Sequence, residues 1–201
     1  MTIIGITGPT GSGKSSCSAH LQALGIPVID ADRIYHLLIE APSPCTRELI
    51  ARFGNQIEDP HGGIDRKALA ALVFSDPTKR KTEDLNQITH KYVLEETKKL
   101  LDEYRNRRNI AVAVDAPLLF EADFDRLCDF CIAVLAPYDV RRERILTRDG
   151  LTPAQADARL GAQKDDAFYT SRAKYVIVNN ADIGITKQRI KEILEKEGVA
   201  I

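Results

Sequence analysis

The octapeptide Gly8-Pro9-Thr10-Gly11-Ser12-Gly13-Lys14-Ser15 constrains this chain more than any other feature. It fits G-x-x-x-x-G-K-[ST] throughout and stands between an apolar run, Thr2 to Thr7, and a helical stretch, Lys14 to Leu24. That strand–loop–helix setting is the context in which the pattern means phosphate binding. Glycines let the backbone curl until successive N–H groups, from about Gly11 through Ser12, Gly13, Lys14 and Ser15 to Ser16, converge on one hollow. The helix that follows adds the positive end of its dipole and its unpaired first-turn donors. Lys14 is placed to reach the outer phosphates of a nucleoside triphosphate, and the Ser15 hydroxyl to meet Mg²⁺.

Bulk properties narrow the remaining classes. A length of 201 residues suits one domain, or one core carrying inserted lobes. Lys and Arg number 28 against 29 Asp and Glu, a formal charge of −1, which argues against a general affinity for nucleic acid. No apolar run approaches the ~18 residues of a membrane span. The start, Met1-Thr2-Ile3-Ile4-Gly5, lacks a basic leader, so a cytoplasmic protein with no membrane partner is expected. Cys128 and Cys131 have C-x-x-C spacing, yet a structural zinc needs four ligands and no second pair follows. Because they open the apolar run Phe130 to Leu135, small core residues are the expected reading over a metal or redox pair.

Apolar runs alternating with amphipathic stretches predict an α/β fold built on a parallel sheet. Five strands are expected: Thr2 to Thr7, Pro27 to Ile29, Ile110 to Val114, Phe130 to Leu135 and Tyr175 to Val178. Between the second and third lie about eighty residues of helical periodicity, with Ile34, Leu37 and Leu38 in one stripe and Leu69, Leu72 and Val73 in another. A longer helix is expected near Tyr92 to Arg107, and Pro42, Pro44, Pro60 and Pro77 punctuate the rest. This segment reads as a lobe inserted into the core. The polar, Arg-rich stretch Pro137 to Lys174 reads as a second insertion, one of its helices starting at Thr152-Pro153. A last helix is expected from about Thr186 to Gly198.

A phosphate loop serves kinases, guanine-nucleotide switches and ATP-driven machines alike. No Asn-Lys-x-Asp is present to read guanine, and Asp59-Pro60-His61-Gly62 has no strand before it, so it reads as a turn. The chain is also too short for a motor with extra domains. A small-molecule kinase with an acceptor lobe and a lid fits best. Asp30 and Asp32 follow the second strand, at the edge where open parallel sheets bind ligands. One would orient an acceptor hydroxyl and take its proton while the other caps the next helix. Asp115 ends the run Ala111 to Val114 in the manner of a Mg²⁺ anchor. Arg141, Arg142, Arg144 and Arg148 lie on the helix entered at Pro137, either as a solvated face or as a lid closing over the γ-phosphate. Arg159 and Gln163 repeat that spacing on the next helix.

With those residues in place, the chain resembles the dephospho-coenzyme A kinases, a group of P-loop kinases related to the nucleoside-monophosphate kinases. The likeness runs through Ile6 to Ser15, Ile29-Asp30-Ala31-Asp32, Phe53-Gly54 and Ile64-Asp65-Arg66 with Leu69 and Phe74. It continues through His90, Asp115 to Glu121, Arg144, Arg148-Asp149, Arg159 with Gln163, and Val176-Ile177 with Asn180. The resemblance implies ATP-dependent phosphorylation of the ribose 3′-hydroxyl of dephospho-coenzyme A, with Mg²⁺ as cofactor. It implies a core of residues 1–32, 109–137 and 173–201, an acceptor lobe over 33–108 and a lid over 138–172. Asp32 would be the base, with Lys14 and lid residues Arg144 and Arg148 on the phosphates. His90, Pro117, Leu118, Leu119 and Glu121 would face the acceptor, although Leu118, Leu119 and Phe120 fit a core equally well. Three positions depart from the family pattern: Pro9 in the loop, Lys91 after the histidine and Lys174 before the last strand.

Overall fold

The structure is a computed structural model that describes residues 1–180 and 183–200. Its centre is the expected five-stranded sheet, with strands β1 (Thr2–Thr7), β2 (Val28–Asp30), β3 (Ala111–Asp115), β4 (Phe130–Leu135) and β5 (Tyr175–Val178) in the order β2-β3-β1-β4-β5. β1 pairs in parallel with β3, Ile4 opposite Ala113, and with β4, Ile6 opposite Ile132; β4 pairs in parallel with β5. A central strand covered on both faces has no polar side to offer, which is why β4 is buried along its whole length.

By contact clustering the chain forms two compact units: Met1–Ile29 with Tyr104–Ile201, and Asp30–Glu103. The first contains most of the sheet with α1 (Lys14–Ala23), α6 (Tyr138–Asp149), α7 (Pro153–Gly161), α8 (Asp166–Thr170) and α9 (Ile183–Lys196). Ile4, Ile6, Leu21, Ile132, Val134, Ile190 and Leu194 make its core. Apolar residues on α1 and α9 pack there because each helix carries a stripe at helical spacing.

The second unit is helical: α2 (Ala31–Glu40), α3 (Pro44–Phe53), α4 (Arg66–Phe74) and the first part of α5 (Arg80–Asn106). Its separate core joins Ile39, Leu49, Phe53, Ile57, Leu69, Val73 and Ile88. Three expectations change here. Pro44 does not interrupt structure but opens α3 as its first residue, where a missing N–H costs nothing. Ser43 caps that helix, receiving Thr46 N–H at 3.0 Å while Thr46 Oγ1 receives Ser43 N–H at 2.7 Å. The long helix also starts twelve residues before the expected Tyr92, at Arg80. Lys91 keeps the backbone N–H that a proline would lack, and its side chain donates to Glu48 at 3.2 Å, beside the bond from the Tyr92 hydroxyl. Leu37 leaves the expected stripe; Ile34 is buried, whereas Leu37 faces solvent.

Asp59 to Gly62 forms the expected turn, with Gly62 N–H donating to the Asp59 carbonyl and His61 N–H to Asp59 Oδ1. Cys128 and Cys131 are free thiols packed around Gly5, against which Leu119 also rests. Removing the Ser43 hydroxyl deletes a reciprocal cap and the bond it donates to the Leu38 carbonyl. Ser43→Ala is expected to lower stability by about 1–2 kcal/mol in urea unfolding, without changing the α/β signature in circular dichroism.

Candidate functional site

The loop between β1 and α1 is bent to a degree only glycine permits. At Gly8, φ is +149° and an added Cβ would stand 2.1 Å from the Val134 carbonyl oxygen. At Gly13, φ is +93° and a Cβ would stand 1.9 Å from Asn179 Nδ2. The curl turns Ser12 N–H to the Pro9 carbonyl (3.2 Å) and Ser16 N–H to Gly13 (3.0 Å). The donors left to the hollow are therefore those of Gly11, Gly13, Lys14 and Ser15, fewer than the sequence suggested. Ser12 Oγ is buried with no hydrogen-bond partner, an acceptor and donor still to be satisfied inside the loop.

Lys14 and Asp115 meet at the carboxyl ends of β1 and β3. Lys14 Nζ donates to Asp115 Oδ1, and Ser18 Oγ donates to Asp115 Oδ2 at 2.5 Å. Asp115 is nearly buried, so its charge must be matched locally. The supposed metal anchor thus holds the loop lysine, with Ser15 one residue away. The Ser15 hydroxyl and the Asp115 carboxylate are oxygen donors of the kind Mg²⁺ takes, although both Asp115 oxygens are engaged here by Lys14 and Ser18.

Three side chains grip the loop from outside. Arg144 Nη1 donates to the carbonyls of Gly11 (3.0 Å) and Ser12 (3.1 Å), and its Nη2 to the Asn179 carbonyl (3.4 Å). Asn179 Nδ2 donates to the Ser12 carbonyl at 2.9 Å. Gln163 Oε1 accepts Thr10 N–H at 2.9 Å. The lid role expected for Arg144 is replaced by one of positioning, since its guanidinium is committed to loop carbonyls. Asn179, missed in favour of Asn180, could be found only from its contacts, because a single Asn after a strand carries no signal.

The remaining arginines divide. Arg148 forms a two-bond pair with Asp149 (2.6 and 2.8 Å), and Arg159 Nη1 adds a third bond to the same carboxylate at 2.7 Å. Hydrogen bonding to Arg148, with help from Arg159, holds the Asp149 carboxyl below the usual range. Arg142 pairs with Asp157 and belongs to the surface. Arg141 packs its backbone against Gly11, yet its Nε and Nη1 are buried without a partner. Its charge acts on Tyr169, whose phenol burial pushes up to about 12.

The expected acceptor wall separates as well. Thr7 Oγ1 donates to the Pro117 carbonyl at 3.2 Å, tying this segment to the end of β1. Leu118 is 42% exposed and available to a ligand. Leu119 is fully buried against Gly5 and is a core residue, correcting its assignment to the acceptor. Glu121 is accessible, but partial desolvation raises its carboxyl, against the pull of Lys164 and Arg172. In the helical unit, half-buried His90 lies on α5, and desolvation lowers its pKa. Asp30 caps α2, receiving Arg33 N–H at 3.0 Å, while Asp32 is the second residue of that helix.

A phosphate loop with an ion-paired lysine and an arginine-rich insertion is common to several kinase families, and comparison with known proteins decides among them. The sequence profile of the dephospho-CoA kinases matches residues 2–184. The chain belongs to the dephospho-CoA kinase family. It is 40% identical over 192 residues to "Dephospho-CoA kinase" of Moorella thermoacetica, covering 95% of this chain and 90% of that one. In structure it is similar to TT1252 from Thermus thermophilus, with a TM-score of 0.78, 33% identity and 97% of both chains covered. It is also similar to the dephospho-CoA kinase from Campylobacter jejuni, with a TM-score of 0.69, 25% identity, and 97% and 96% covered. Within this family likeness, the third departure is a surface matter: Lys174 pairs with Glu197 at 2.7 Å.

Arg144 offers the sharpest test of how the loop is held. Arg144→Ala is expected to raise KM for ATP about tenfold and to lower Tm, because the Gly11 carbonyl loses its donor and the Ser12 carbonyl keeps only Asn179. A pure lid residue would instead lower kcat and leave Tm unchanged.

Proposed function

We propose that this chain transfers the γ-phosphoryl group of ATP to the ribose 3′-hydroxyl of dephospho-coenzyme A, with Asp32 as the base and Lys14 and Arg148 on the transferring phosphate. Family membership gives the overall reaction: ATP-dependent phosphorylation of dephospho-coenzyme A, the last step of coenzyme A synthesis. The observation that carries the reading is the match across residues 2–184, which includes both the phosphate loop and the helical unit.

Phosphoryl transfer asks little covalent chemistry of a protein, so the residues act by placing groups and offsetting charge. The N–H groups of Gly11, Gly13, Lys14 and Ser15 would take the β-phosphate oxygens, with Ser12 and Ser16 completing the loop that shapes the hollow. Lys14, held by Asp115, is already directed, and phosphate oxygens would compete with Asp115 for its ammonium. Mg²⁺ at Ser15, with Asp115 nearby, would supply positive charge to the phosphates. Arg148 and Arg159 share one carboxylate, Asp149, and a triphosphate bearing more charge would draw Arg148 from that pair. Arg141 would offer its unpartnered N–H groups beside Gly11.

For the acceptor, the division between the two aspartates supports Asp32. Asp30 accepts an N–H of the helix it caps, so its carboxylate is tied to local structure. Asp32 stands in the first turn of α2, where the positive end of the helix dipole attracts negative charge. Leu118, Pro117, Glu121 and His90 remain proposed acceptor contacts. ATP and dephospho-coenzyme A are the partners proposed, in the cytoplasm and without nucleic acid or membrane; among the described residues no helix is long and apolar enough to cross a bilayer.

Coupled ADP release with dephospho-coenzyme A beside AMP, CMP, shikimate and pantothenate tests the reading. Release that depends on dephospho-coenzyme A alone is expected; an equal response to another acceptor, or to none, overturns it. In the same assay Asp32→Asn is expected to lose turnover by about 10²-fold or more with ATP affinity retained. Asp30→Asn should lose mainly thermal stability, as the removal of a cap does. The reverse pattern would exchange their roles.

A further inference from the structure

Cys128 and Cys131 take no part in phosphoryl transfer, and their surroundings differ from those of the other two cysteines. Cys17 and Cys45 are buried, and burial pushes their thiols up to about 12 and about 11, where they stay protonated and inert. Cys131 is buried within β4, whereas Cys128, just ahead of that strand, is partly exposed. A side chain begun at Gly5 would meet Cys131 Sγ at 2.8 Å and Cys128 Sγ at 3.0 Å, so both sulfurs crowd one point beside β1. The two thiols are hydrogen-bonded to each other, which makes the first proton easier to remove, at Cys131, and the second harder, at Cys128. Asp125, whose charge acts on both thiols, keeps a buried Oδ1 without a hydrogen-bond partner, an acceptor for a departing proton. Among the described residues no group of three His, Cys, Asp or Glu is placed to hold a metal ion, so the pair lacks the further ligands that zinc takes.

We infer that Cys128 and Cys131 are a redox pair that peroxide closes to a disulfide, and that closing it weakens the hold of the phosphate loop on ATP. Backbone geometry permits the bond. Residues three apart on a straight strand stand about 10 Å apart, beyond the ~7 Å that a disulfide spans between Cα atoms. Here the chain bends before β4: a short 3₁₀ turn, Phe124–Leu127, ends at Cys128, whose Sγ donates to the Phe124 carbonyl at 3.3 Å. β1 holds the bend in place. Ile3 N–H donates to Asp129 Oδ2 at 2.7 Å, and Asp129 N–H to the Ile3 carbonyl at 2.8 Å.

The step balances with one peroxide. One sulfur, as thiolate, attacks a peroxide oxygen; the O–O bond breaks, a sulfenic acid forms, and the departing hydroxide takes up a proton as water. The second sulfur then displaces the sulfenic hydroxyl, which leaves as water with the second proton, and the S–S bond forms. Both cysteines are oxidised and the peroxide is reduced to water. The link to the loop runs through Gly5, which stands opposite Cys131 in the register of β1 and β4, three residues ahead of Gly8. A disulfide draws the sulfurs to about 2.05 Å, closer than two thiols approach. Leu119 Cδ1 already stands 3.1 Å from the point they crowd, so the sulfurs cannot move without pressing on β1. In a reducing compartment such a bond is transient, as a sensor requires.

Peroxide treatment of the full chain, followed by thiol counting, peptide mass mapping and equilibrium binding of ATP, tests the inference. Binding is measured without an acceptor, so the result does not depend on which acceptor the enzyme uses. Loss of two thiols and of the mass of two hydrogens is expected, with a peptide linking Cys128 to Cys131. Kd for ATP should rise about threefold or more, and dithiothreitol should reverse both changes. Cys128→Ser should bind ATP as the untreated wild type does and lose the response to peroxide. Cys131→Ala should lose it too, and melting temperatures taken alongside show that both variants are folded. A disulfide between other cysteines overturns the inference, as does oxidation that leaves Cys128 and Cys131 unlinked. A linked pair with unchanged Kd overturns it as well, and so does a rise in Kd that persists in Cys128→Ser.

Discussion

A backbone loop that offers its N–H groups to phosphate must turn its carbonyls the other way, and those carbonyls then need donors of their own. In this chain the need is met at Gly11 and Ser12 by Arg144 and Asn179. Both come from the far half of the sequence, and that long-range contact ties the loop to α6 and to the end of β5. The order of strands follows the same requirement. β1 sits between β3 and β4, so Asp115 and the Arg-bearing helix after β4 flank the loop from either side. Few substitutions at Arg144 would preserve this. Lysine carries the charge but cannot reach three carbonyls with the planar fork of a guanidinium.

The pairing of Lys14 with Asp115 has a similar logic. An ion pair at this depth adds little to stability, since desolvating both charges consumes most of what their attraction returns. Its effect is on placement. A lysine has four rotatable bonds, and fixing the ammonium beside β3 restricts it before a nucleotide arrives. Ser18 makes the arrangement firmer by occupying the other carboxylate oxygen, which leaves Asp115 one orientation.

What was legible in the sequence was what repeats or is local. β1, β4 and β5 were read to the residue, because buried parallel strands are continuous apolar runs bounded by polar ones. The cap at Thr152-Pro153 was legible for the same reason: its partner Gln155 is three residues away. α3 was not, although Ser43-Pro44 has the same form, because the prolines around it suggested interruption. The early turns of α5 carry polar residues at most positions and present only a thin apolar stripe. Leu119 was indistinguishable from a pocket residue, since a leucine beside a ligand and a leucine beside Gly5 look the same in sequence. The grip of Arg144 and Asn179 on the loop was beyond reach for a different cause. It spans more than 130 residues, and no local pattern announces which carbonyl a distant guanidinium will meet.

The two units also differ in how they present charge, and the difference follows the chemistry each is proposed to serve. In the unit with the loop, Lys14 is held by Asp115, Arg148 by Asp149 and Arg144 by the loop itself. Arg141 departs from that pattern. A site for a highly charged nucleotide gains from such partners, because unpaired cations packed together would repel one another and loosen the loop. In the helical unit Arg66 and Lys67 are exposed to solvent, where water screens their mutual repulsion and no partner is required. Each unit has its own apolar core, so the loop and the helices of the second unit are fixed by separate packing. A substitution that empties part of one core therefore acts first on the unit that core supports.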